Sequence, residues 1–149
     1  MLSLIEIRDR IRANIGTGLA YPLRLDQCNV AANEKVVMAN QAKVEFSIHV
    51  IPSGDHGEEG GSTGMTISRV EAGINILISV KDVSDAIGSE GQDTLKNYRQ
   101  AVSKVLQGFI PTDTTRPLWY SDGDLIEFKD GIFWQVESYS CGYNIREIV

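Results

Sequence analysis

Four ionisable side chains within five residues, Asp55, His56, Glu58 and Glu59, are the densest concentration of potentially reactive groups in the sequence. An aspartate beside a histidine can begin a general-base pair, because imidazole titrates near neutrality and a carboxylate can fix its tautomer. His49 and His56 are the two histidines, so a neutral-pH histidine base must be one of them. A working base needs its geometry held by packing and by further hydrogen bonds. The glycines around the Asp55–His56 pair, Gly54, Gly57, Gly60, Gly61 and Gly64, offer neither. The same four groups could meet a cation, but transition-metal sites draw ligands at helical or Cys-x-x-Cys spacing, which is missing here. The spacing of a calcium-binding helix–loop–helix hand is missing too; hard cations tolerate loose oxygen cages, so weak Mg²⁺ or Ca²⁺ affinity stays open. A solvated acidic segment is the preferred reading, and Asp55, His56, Glu58 and Glu59 are assigned as a candidate interaction loop.

Other chemistry is poorly supported. Gly60-Gly61-Ser62-Thr63-Gly64 leads into a strand-like run without a Walker lysine, whereas a phosphate loop needs a helix N-terminus behind it. There is no Gly-x-Ser-x-Gly elbow, and no motif surrounds Cys28 or Cys141. His49 alternates outward on a predicted strand and reads as a solvent-facing or sheet-surface residue. Arg8, Arg10 and Arg12 are the one basic concentration, with Glu6 and Asp9 interleaved. The aromatic-rich C-terminal third carries Asp122, Asp124, Glu127, Asp130 and Glu137 instead of a positive groove for bases. No catalytic residue, cofactor or metal site is assigned. A small hydrolytic or ligand-binding enzyme using Asp55 and His56 is the alternative from another class.

Composition agrees with a surface-acting protein. The 149 residues suit a single domain spanning 1–149, large enough to bury a core without disulfide or metal staples. Fourteen Lys plus Arg against twenty Asp plus Glu give net −6, which disfavours wrapping nucleic acid or docking on an anionic membrane. Glu6, Arg8, Asp9 and Arg10 interrupt any signal-peptide apolar core. Two cysteines suggest a reducing cytosol.

The elements that must position these groups follow from periodicity. Ser3 and Glu6 have capping-box spacing, and Leu4, Ile7, Ile11 and Ile15 make a helical stripe stopped by Gly16 and Gly18. Leu23 to Val30 predicts a strand, and Val36–Met38 a short further piece of one. Val44, Phe46, Ile48 and Val50 alternate with polar residues, as do Ile74, Ile76, Ile78 and Val80, which predicts two long strands paired antiparallel. Ala72-Gly73 suggests a bulge or bend. Between the strands, Pro52 to Gly64 has no apolar residue beyond Pro52 and reads as a mobile loop. A second amphipathic helix runs from about Asp93 to Gln107, its face made by Leu95, Tyr98, Val102, Val105, Leu106 and Phe109, with Gly108 at its C-cap. A meander follows, with turns expected at Asp122-Gly123 and Asp130-Gly131 and a last edge strand from Tyr143. The expected fold is α+β: antiparallel sheet with two amphipathic helices on one face and a long mobile β-hairpin loop.

This layout, with a glycine-stopped N-terminal helix, two long strands, one amphipathic helix and a meander carrying Gly131-Ile132-Phe133-Trp134-Gln135-Val136, resembles the tail terminator proteins of long-tailed bacteriophages and related prophage proteins. The resemblance runs from Ser3 to about Tyr143. It implies a non-enzymatic minor tail protein that forms a hexameric ring, caps the tail tube and presents a surface for head attachment. The implied partners are copies of itself, the tail-tube protein and the head-completion connector, with DNA only passing through the channel and no membrane. The implied locations are the host cytoplasm during assembly and the virion tail. Another neck or tube component of the same assembly is the nearest alternative.

Overall fold

In a computed structural model that describes residues 2–15, 18–39, 45–62, 65–82 and 89–148, the N-terminal serine caps the first helix. Ser3 Oγ accepts the Glu6 N–H at 3.3 Å, opening α1 (Leu4–Asn14). The second half of the expected capping box is absent. The Glu6 carboxylate instead accepts the backbone N–H and hydroxyl of Thr112, at 2.9 and 3.0 Å, tying the helix to a distant loop. Gly16 lies outside the described residues.

After a 3-10 turn at Leu25–Gln27 come β1 (Cys28–Val30), α2 (Glu34–Met38), β2 (Ser47–Ser62), β3 (Met65–Lys81), α3 (Ser89–Leu106), β4 (Trp119–Lys129) and β5 (Ile132–Ile148). The strands form a single sheet in the order β1-β2-β3-β5-β4. The expected β2–β3 antiparallel pair is present, as is the α+β class, although β1 joins β2 in parallel. The predicted strand from Leu23 shrinks to three residues, because the chain turns at Leu25–Gln27 first. Val36–Met38 is helical, capped by the Asn33 side chain on the Val36 N–H, and of its apolar run Val37 is buried while Val36 is exposed, so it is not a strand.

β3 lies at the centre and is buried on both faces where Ile74, Ile76, Leu77, Ile78 and Val80 fall. One face packs under α1 and α3 through Ile7, Ile11, Tyr98, Val102 and Leu106. Each such side chain removed from water contributes about 1.5–3 kcal/mol. The opposite face holds a smaller core, in which Val37 of α2 meets Ile51, Leu77, Ile132 and Trp134. Gly108 ends α3 at φ +83°, and Arg10 lies 4.4 Å over the neighbouring Phe109 ring.

Two glycine-rich segments depart from expectation. Residues 53–62 are strand, not loop: the β2 backbone pairs with β3 as far as Ser62↔Met65, after a bulge at Ser53 opposite Gly73 and Ile74. Low strand propensity is overridden because β3 is itself held on its far side by β5, giving β2 a fixed ladder to join. Asp122-Gly123 is no turn either, since it lies inside β4 opposite Ser138 and Glu137. Asp130-Gly131 is the hairpin turn, with φ +53° and +76° at the two residues, as a type I′ turn requires. The segment from Tyr143 continues β5 instead of adding a separate strand; it pairs with β3, while β4 reaches only Ser140, so among the described residues it is paired on one side alone, as an edge is.

The edge at β1 is closed. Its outward Cys28 carbonyl accepts Arg12 Nε at 2.9 Å, and the Val30 N–H is taken by the Asn29 side chain.

Candidate assembly surfaces

Asp55 turns toward the sheet, where the Tyr143 hydroxyl donates to its Oδ2 at 2.9 Å. The backbone of His56 lies opposite Glu71, and those of Glu58 and Glu59 opposite Arg69 and Ser68. The side chains of His56, Glu58 and Glu59 lie outside what the structure describes. The candidate interaction loop is therefore one strand of an extended arm. β1 reaches only Ile48–Val50 of β2, so the described residues pair 54–62 on one side alone.

His49 is buried, not solvent-facing. It shares the face of Ile51 and Leu77, where α2 adds cover that strand alternation could not reveal. Its Nδ1 has no hydrogen-bond partner among the described residues, and burial pulls its pKa below the ordinary 6.5. A buried neutral histidine supports folding fully above the unfolded-state value and progressively less as pH falls below it. Stability should therefore drop as pH is lowered through about 6.5, and His49→Leu should flatten that part of the curve; chemical denaturation at a series of pH values measures both. Cys28 and Cys141 are free and buried, with burial pushing both thiols up to about 11, so neither is poised as a nucleophile.

A groove between α3 and β4 escaped the sequence reading. α3 packs on β3 and β5, leaving β4 uncovered at the sheet's other edge. Two adjoining cavities result, of about 320 and 380 Å³, and both are lined by Lys96 and Arg99. Tyr120 and Glu137 line the first, Leu95, Leu125 and Phe133 the second. Glu137 is 2% exposed and forms an ion pair with Arg99 through Oε1. That bond raises the Arg99 pKa further. The Tyr120 hydroxyl lies at the same spot, crowding Gly123 with Glu137 Oε2, and Oε2 has no hydrogen bond among the described residues. Burial, then the nearby carboxylate, raises the Tyr120 pKa.

β4 itself is exposed along most of its length. Trp119, Tyr120, Leu125 and Ile126 are 45, 41, 48 and 43% exposed. A long edge strand carrying large apolar side chains invites another chain. The apolar pair Leu125-Ile126 set among Asp122, Asp124, Glu127 and Asp130 was the available signal.

An α+β fold whose short β1 edge is closed and whose apolar β4 edge is left uncovered is shaped for contact with other chains. The chain belongs to the phage tail terminator protein family, whose sequence model matches residues 9–149. It is thus a structural protein of the phage tail. Its fold is similar to that of a chain in the virion of native gene transfer agent (GTA) particle: the TM-score is 0.53 at 10% identity, over 97% of this chain and 96% of that one. No curated protein matches the sequence.

Proposed function

We propose that copies of this subunit close into a ring, six to a turn, that caps the tail tube, stops its polymerisation and offers the surface on which the head connector docks. The observation that carries this reading is the exposed apolar β4 edge on a member of a tail terminator family. Heterologous contacts between two different patches generate closed rings when the rotation permits, and the closed β1 edge beside the open β4 edge gives the subunit two unlike ends. Net −6 suits a duct through which DNA must slide, because like charge keeps phosphates from sticking. The tail-tube protein and connector are the further partners, met in the host cytoplasm during assembly and kept in the virion tail. Sedimentation and negative-stain microscopy of concentrated protein should show six-subunit rings, with subunit interfaces above about 1,000 Å². A protein that stays monomeric, together with tails of normal length when it is absent, would overturn the proposal.

A further inference from the structure

We infer that the ring contact is made by the arm of one copy, residues 54–62 of β2, lying in the α3–β4 groove of the next; this deepens the ring reading and rests on it. Charge is the first argument. The groove is bordered by Lys96 and Arg99, and Lys96 has no ion-pair partner among the described residues. The arm carries Asp55, Glu58 and Glu59, with Asp55 engaged by Tyr143, so its formal charge is opposite in sign to that basic border.

The second argument is the buried acceptor at the groove's floor. Glu137 lines the cavity, and its Oε2 is buried without a hydrogen bond among the described residues, which is costly. A glycine-rich strand supplies backbone N–H groups with little side-chain bulk to hold them off, and Gly54, Gly57, Gly60 and Gly61 make this segment such a strand. Reach is sufficient: nine extended residues span about 30 Å. The lining residues of α3, from Gln92 to Ser103, cover roughly 17 Å of helix. Arm and groove are different patches of one chain, which is the arrangement a cyclic assembly requires.

The test uses the full chain and three variants: Lys96→Glu in the groove, Glu58→Lys with Glu59→Lys in the arm, and all three changes together. Each reversal alone should weaken ring assembly at least about tenfold by sedimentation with unchanged thermal melting, because it sets like charges against each other. The triple variant should recover assembly. An equimolar mixture of the groove variant and the arm variant should likewise recover rings, with the two alternating, since every arm then meets a groove of opposite charge. Rings formed by either single reversal as readily as by the unaltered protein would overturn this inference and leave the ring reading standing, as would a triple variant that stays apart. Failure of the unaltered protein to form rings would instead overturn the ring reading itself, and the inference with it.

Discussion

Replacing Arg99 by alanine should cost roughly 3 kcal/mol of folding free energy, toward the lower end for breaking a buried ion pair because the guanidinium side is partly solvated. The asymmetry of the pair drives the effect. Glu137 is held at the floor of the groove while Arg99 reaches it from α3, so removing the arginine strands a carboxylate away from water. Truncating the acid and the base together should hurt far less than the sum of the single changes. Urea unfolding of Arg99→Ala, Glu137→Leu and the double variant gives the coupling energy directly. A coupling near zero would show that the pair contributes nothing to holding α3 on the sheet.

Trp134→Ala should be still more damaging, by about 3–5 kcal/mol, a large part of the 5–15 kcal/mol typical of a domain. Trp134 is fully buried in the smaller core with Val37, Ile51, Leu77 and Ile132, and few residues surround it that could collapse into the void. Its indole N–H has no partner among the described residues. Trp134→Phe keeps most of the ring's volume and removes that unmet donor, so it should cost only about 1 kcal/mol. Comparable losses for both variants in thermal or urea unfolding would mean that the indole nitrogen, and not the ring volume, matters at this position.

The parts of this fold that could be read from sequence are those whose periodicity is written locally. Ile7 and Ile11 on α1, the Leu95–Leu106 face of α3 and the alternation through Ile74–Val80 each announce a buried side within a dozen residues. The misreadings share one physical cause, which is that long-range pairing decided the outcome. Residues 54–62 have little to favour a strand except the neighbouring β3 ladder. Asp122-Gly123 and Asp130-Gly131 look alike as dipeptides, but β5 claims the first as ladder and leaves the second to turn. His49 is hidden by a second layer, that of α2, in a segment first read as strand. The groove was equally invisible, because it exists only where α3 stops short of β4, and the Arg99–Glu137 pairing joins residues 38 positions apart. The acidic cluster at 55–59 is written in the sequence, whereas nothing local announces the groove between α3 and β4.

The arginine seated on the Cys28 carbonyl has a consequence for self-association. Unguarded sheet margins permit stacking without limit, the route to fibrils. With Arg12 on the Cys28 carbonyl and the Asn29 side chain on the Val30 N–H, a newcomer finds those two groups already taken. Strand addition is thereby denied along this stretch, and an added strand on that flank would be turned toward residues 54–62 of β2, which β1 does not reach.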